Sequence, residues 1–188
     1  MSSNFPLMPG DVIPSFSCGI VKSNMAVKMW STSELKSSYT VFFFFPMTSA
    51  VDASEIGALR DAIGDFQKRN CTVYGVTTES VLSTLAWMEK SPEAGGFGGA
   101  TKFDILSDRD ASISELFGVK RRSGLPCRAT FVVDKRNRIR HSNITSRYIG
   151  RNVAELQKTV DALKELDSID GHVSTLIPGS HLVDNDGI

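Results

Sequence analysis

Two carboxylates three residues apart, Asp52 and Glu55, are the first candidates for chemistry in this chain. They open a helical pattern that follows an apolar run, Tyr39–Phe45, by way of Pro46 and the small polar residues Thr48 and Ser49. A strand feeding a helix through a short loop aims backbone N–H groups and the positive end of the helix dipole at one spot. An acid there is held as an anion or caps the helix. The spacing Asp52-x-x-Glu55 fits a capping box with Asp in place of the usual Ser or Thr, which is the plain structural reading.

Other reactive side chains are dispersed. Cys18, Cys71 and Cys127 are odd in number and lack metal-ligand spacing, so neither a disulfide framework nor a zinc site is indicated. Cys18 and Cys71 lie in apolar strand patterns and read as inert core thiols. His141, His172 and His181 are scattered; no metal and no cofactor is expected. The loop Gly95-Gly96-Phe97-Gly98-Gly99 follows a helix and lacks a Gly-Lys-Ser/Thr ending, so it is not a phosphate loop. Lys120-Arg121-Arg122 and Lys135-Arg136-Arg138-Arg140 read as a solvated basic face.

The elements that must position these groups follow from periodicity. Tyr39–Phe45 is too short for a helix core and too apolar for an edge, so it reads as a central strand buried on both faces. Ile56, Leu59, Ile63 and Phe66 then recur at helical period, in a helix expected to open at Asp52. Before this unit, residues 1–14 read as an extended lead-in. A hairpin (Ser15–Val21, Ala26–Trp30) follows, then a short helix capped by Ser31 and Glu34 and ending near Ser37. After it come a strand at Cys71–Val76, a helix at Val81–Glu89, a strand at Phe103–Leu106 and a helix at Ala111–Phe117. A hairpin of Arg128–Asp134 and Ile139–Ile144 and a closing helix at Val153–Leu166 complete the pattern. The order predicts an α/β chain with helices layered on a central mixed sheet: a thioredoxin-like fold with insertions. Residues 1–166 form the domain and 167–188 an extended C-terminal arm.

At 188 residues, with 41% hydrophobic and 22% charged content, one soluble domain with a sizeable core is expected. Lys+Arg and Asp+Glu both number 21, which gives no reason to expect nucleic acid as a partner. No apolar run approaches the roughly 20 residues that span a bilayer. Met1–Phe16 shows neither a signal-peptide core nor an Arg-rich amphipathic pattern, so a cytoplasmic protein is expected.

Several stretches carry a resemblance to the typical two-cysteine peroxiredoxins. Val41-Phe42-Phe43-Phe44-Phe45-Pro46 resembles the strand before that family's active-site loop. Val51-Asp52-Ala53-Ser54-Glu55-Ile56 resembles the Val-Cys-Pro-Thr-Glu-Ile that opens its active-site helix. Gly95-Gly96-Phe97-Gly98 is similar to its Gly-Gly-Leu-Gly. Arg128 stands where the family has its active-site arginine, and Gly150-Arg151 matches a second Gly-Arg before the last helix. The resemblance runs from about Pro9 to Ser180 and implies the peroxiredoxin insertions, a thioredoxin-dependent peroxidase ancestry and homodimers or rings of dimers.

The departures fall on the chemistry. Asp52 stands at the peroxidatic cysteine and Ala53 at the proline after it. The loop from Pro46 is one residue short, with Ser49 where the family has threonine. The arm reads Gly171-His172-Val173-Ser174-Thr175, with Ser174 near the resolving position. Peroxide reduction needs a sulfur anion that becomes a sulfenic acid and is returned by a second thiol. A carboxylate can do neither, although an anion at a helix N-terminus beside Arg128 and Arg151 would replace the thiolate's charge.

Three readings follow. The first is a catalytically degenerate pseudoenzyme that serves as an oligomeric or complex subunit, with a chaperone-like role as a secondary form. The second is residual thiol peroxidase activity through Cys127 or Cys71, the neighbouring Arg128 lowering the Cys127 pKa. The third is a module that binds a small anion at Arg128 and Arg151.

Overall fold

The computed structural model describes residues 5–48 and 50–169. Its strands are β1 (Ser17–Val21), β2 (Val27–Ser31), β3 (Tyr39–Phe44), β4 (Cys71–Thr77), β5 (Asp104–Ser107), β6 (Arg128–Asp134) and β7 (Ile139–Thr145). The helices are α1 (Ala50–Lys68), α2 (Val81–Glu89), α3 (Ser112–Leu116) and α4 (Val153–Ser168). All seven strands form one sheet in the order β2-β1-β5-β4-β3-β6-β7. β3 runs parallel to β4, and β4 to β5, while the remaining pairings are antiparallel. The sheet is therefore mixed, with helices on its faces, in the thioredoxin-like arrangement with insertions that the element order implied.

β3 is an interior strand, held between β4 and β6, and every residue in it is buried. Its side chains alternate between two cores, as a strand of period two requires. Tyr39, Val41 and Phe43, with Phe45 just beyond, join the cluster under α1, α2 and α4. Phe42 and Phe44 join the opposite cluster with Trp30, Tyr74, Ile113, Phe117 and Phe131. Burying each such aromatic or aliphatic side chain stabilises the fold by about 1.5–3 kcal/mol. α1 contributes Ile56, Leu59, Ile63 and Phe66 to the first cluster, the four positions its periodicity predicts.

Several expected boundaries move. α1 opens at Ala50 rather than Asp52, so Asp52 stands inside the first turn instead of capping it. The helix expected from Ser31 to Ser37 is one 3-10 turn, Thr32–Glu34, in which Glu34 still accepts the Ser31 N–H at 3.3 Å. α4 continues to Ser168, past the expected boundary at 166, and arm residues 170–188 lie outside the described residues.

The glycine loop after α2 needs its glycines. Gly95, Gly98 and Gly99 have φ of 78°, 75° and 130°, and a Cβ on Gly96 would lie 2.2 Å from the Lys90 carbonyl oxygen. The turn sets Phe97 against Trp87, with ring centroids 5.3 Å apart. The expected basic face is divided: Lys120 pairs with Glu115, Arg140 with Asp134 and Asp167, and Arg138 donates to the Gly10 carbonyl. Among the described residues, no helix is long and apolar enough to cross a membrane.

Candidate functional site

Sheet register brings the candidate residues together. β6 pairs antiparallel with β3, with Ala129 opposite Phe44. Arg128 therefore sits one step past the end of β3, where the chain turns into α1. β6 also pairs with β7, Arg128 opposite Thr145. From there residues 146–152 return Arg151 over the same end of the sheet, just before α4. The Asn152 side chain caps α4, accepting from the N–H groups of Ala154 at 2.9 Å and Glu155 at 3.3 Å. On α1, Asp52 and Glu55 share a face three residues apart and turn inward.

Four charges meet there, almost fully shielded from solvent. The side chains of Asp52 and Arg128 are each 1% exposed. Arg128 Nη2 lies 2.8 Å from Asp52 Oδ1, and its Nη1 donates to Glu55 Oε2. Asp52 Oδ2 accepts the Thr48 N–H at 2.9 Å, so this acid ties the strand–helix loop down. Glu55 also accepts from Arg151, through its backbone N–H at 2.5 Å, Nε at 3.0 Å and Nη2 at 3.0 Å. Arg151 Nη1 donates to the Ala129 carbonyl at 2.7 Å and to Thr130 Oγ1 at 3.2 Å. Its guanidinium carbon lies 3.4 Å from the centroid of the Phe43 ring, a cation–π contact on a buried face.

The capping-box expectation is thus replaced by an ion network. Glu55 is spent on the two arginines instead of on a backbone N–H, because both guanidinium groups are delivered to its side of the helix. The arginines divide the acids: Arg128 takes Asp52 and Glu55, while Arg151 takes Glu55. Two acids and two cations leave the buried cluster neutral, which is the condition for keeping charges out of water. Ser49 and Ser174 lie outside the described residues.

Burial acts to raise the Glu55 carboxyl, but the Arg151 hydrogen bonds and the charges of Arg151 and Arg128 outweigh it and hold the group below the usual carboxylate range. The sign for stability follows. A depressed pKa contributes stability that is complete above the unfolded value, about 4.3, and is lost as pH falls through the folded one. Comparing denaturant unfolding of the wild type with Glu55→Gln, the stability gap should stay level from pH 7 to about 5 and shrink below about 4.3. A gap unchanged between pH 7 and pH 3 would show that Glu55 carries no such linkage.

The thiols are not at this site. Alternation along β6 sends Arg128, Thr130 and Val132 to the α1 side, and Cys127, Ala129 and Phe131 to the other. Cys127 accordingly packs against the second core cluster. Cys71 is buried at the start of β4, and burial pushes its thiol up to about 12. Burial likewise pushes Cys18 up to about 12, helped by the nearby Asp108 charge. Sequence reasoning did not single out Phe43, Thr48, Thr130 or Arg147 as parts of this region. The alternation of β3 could have found Phe43, since it puts Phe43 on the α1 face. Thr48 acts through its backbone and Arg147 sits in a loop, where no periodic signal exists. Among the described residues, no cluster of His, Cys, Asp and Glu could hold a metal.

Comparison with known proteins agrees with this architecture. The sequence model of the AhpC/TSA family matches residues 9–142. The chain is 34% identical over 165 residues to the chloroplastic 2-Cys peroxiredoxin BAS1 of Spinacia oleracea, covering 87% of this chain and 62% of that protein's length. Identity to the protein of the same name from Hordeum vulgare is 34% over 163 residues, covering 86% and 77%. The reduced 2-Cys peroxiredoxin of Plasmodium vivax superposes with a TM-score of 0.86 at 27% identity, covering 94% of this chain and 93% of that one. Enterococcus faecalis AhpC superposes with a TM-score of 0.80 at 25% identity, covering 90% and 99%. With the strand and helix order of that family along one sheet, the chain belongs to the AhpC/TSA family as a relative of the 2-Cys peroxiredoxins.

Proposed function

We propose that this protein is a peroxiredoxin body without peroxide turnover, retained for assembly as a homodimer, a ring of dimers or a subunit of a larger complex. The observation that carries the reading is the buried Asp52–Arg128 pair, 2.8 Å apart and 1% exposed on both sides. A carboxylate fills the place of a thiolate and satisfies the arginine that a thiolate would need. Oxygen in a carboxylate cannot take up a peroxide oxygen and hand it on to a thiol. Cys18 and Cys71 sit in environments that hold thiols protonated, and Cys127 faces the other core, which weighs against peroxidase chemistry through any of the three.

Assembly has its own support. β7 is an edge strand whose outer side is paired with Gly10 and Asp11 at Ile139, and towards its other end Ile144, with Ile149 just beyond the strand, is exposed, at 44% and 62%. A second copy laid against this edge would cover both. A chaperone-like role is a secondary form of the same reading, since it too requires only the assembled body.

Two measurements test the proposal together. Hydrogen peroxide consumption with a thioredoxin-type reductant should not exceed the protein-free rate, and light scattering on the native protein should give the mass of a dimer or larger assembly. Peroxide turnover that disappears in Cys127→Ser would establish the residual-peroxidase reading instead. A monomer at micromolar concentration would remove the assembly role.

A further inference from the structure

Outside the neutral four-charge cluster, the same end of the sheet carries positive charge that no ion pair among the described residues balances. A cavity of about 300 Å³ opens between the loop before α1, the 121–128 turn and the segment after β7. Arg121, Arg128 and Arg147 line it with the Thr48 and Ser123 residues, and no acidic residue does. Among the described residues, neither Arg121 nor Arg147 takes part in an ion pair. The Arg147 guanidinium carbon lies 4.7 Å from the centroid of the Tyr148 ring, a stacking that leaves its N–H edge available. Arg128 forms the floor as a buried charge whose two terminal nitrogens already serve Asp52 and Glu55, so the outward-facing donors are those of Arg121 and Arg147.

The rest of the wall is apolar. Pro46, Val51, Leu125 and Pro126 face the cavity with Tyr148, which is 73% exposed. We infer that this cavity binds a small organic anion, a carboxylate or phosphate monoester joined to a compact apolar or aromatic group. Guanidinium groups select such anions by paired N–H donors, and the apolar wall selects the body. The volume is at the small end of ligand pockets, which range over about 300–1,000 Å³, and so suits a single ring rather than a nucleotide. Arg151, expected from the sequence to share an anion pocket with Arg128, does not line this cavity; it pairs with Glu55 instead. The inference deepens the non-catalytic reading of this site and rests on it, since the ligand takes the space where a peroxide would have to approach.

The test is calorimetric titration of the full-length protein in its native assembly with phenyl phosphate, benzoate, inorganic phosphate and, as the neutral probe, benzyl alcohol. Phenyl phosphate and benzoate should bind in the submillimolar range, and more tightly than inorganic phosphate. The double variant Arg121→Ala/Arg147→Ala should weaken phenyl phosphate by about tenfold or more, while Arg136→Ala, on the distant β6–β7 turn, should leave it unchanged. Both sets of substitutions are at surface positions, and circular dichroism would verify their folding. Three results would overturn the inference: no heat at millimolar ligand, benzyl alcohol binding as tightly as phenyl phosphate, or an affinity unaffected in the double variant. Peroxide consumption by the same preparation is scored separately, so turnover would sink the non-catalytic reading whatever the titration shows, and a flat titration would sink the ligand alone.

Discussion

Arg128→Met will lower the stability of this protein by about 3–5 kcal/mol, because it removes one cation from a buried ion cluster and leaves that cluster charged. Methionine keeps much of the side-chain volume, so the loss is electrostatic rather than a cavity effect. In the wild type, Arg128 is 1% exposed and holds Asp52 with one nitrogen and Glu55 with the other. Without it Glu55 keeps Arg151 and Asp52 keeps the Thr48 N–H, but the Asp52 carboxylate loses its guanidinium. The buried cluster then carries one excess negative charge. Adding Asp52→Asn removes that charge and preserves an oxygen for the Thr48 N–H. The double variant should therefore recover at least half of the loss, even though it has one ion pair fewer. Guanidinium denaturation midpoints, converted with the measured m-values, provide the comparison. If the double variant is as unstable as the single, the network matters through packing and the charge argument is wrong.

Asp52→Cys is expected to create a reactive thiol where the wild type has none. The new sulfur would stand in the first turn of α1, beside the Arg128 guanidinium that now meets the carboxylate at 2.8 Å. Such surroundings lower a thiol pKa from about 8.5 into the range of about 3.5–7.5. At pH 7 the thiolate would pass from a few per cent to between about a quarter and nearly all of the population. Its sulfur would attack one oxygen of hydrogen peroxide and the O–O bond would break. The second oxygen leaves as hydroxide, is protonated to water, and a sulfenic acid remains. Trapping with dimedone and mass spectrometry should find one adduct per chain at position 52, formed on the order of tenfold faster than any adduct at Cys127. A folded variant with no adduct would show that more than this one residue separates the site from thiol chemistry. The shortened loop between Pro46 and Asp52 would then be the place to look.

The fold was largely legible in the residues. Tyr39–Phe45 has the length and composition of a strand buried on both sides, and it lies inside the sheet, one place from the middle strand β4. The spacing of Ile56, Leu59, Ile63 and Phe66 identified the buried face of α1 correctly, because a helix repeats its inward face by local geometry alone. The start of α1 was misplaced by two residues, for an equally physical reason. Asp52 and Glu55 match a local capping pattern, but capping competes with partners the local sequence does not contain. Arg128 and Arg151 come from far along the chain and outbid the backbone N–H groups for Glu55.

What the sequence by itself determined is the architecture and the absence of a thiol at the opening of α1: periodicity is a property of neighbours, and a missing sulfur needs no fold to be noticed. Only the tertiary structure decided how the charges are shared. The pairing of β3 with β6 brings Arg128 to α1, and the alternation of β6 sends Cys127 to the opposite face of the same sheet. The return of the chain after β7 sets Arg151 on Phe43 and leaves Arg147 facing a cavity with Arg121. These outcomes depend on strand register and loop path, which join residues distant in sequence. A one-residue slip in either would reverse which groups are paired and which are left facing water.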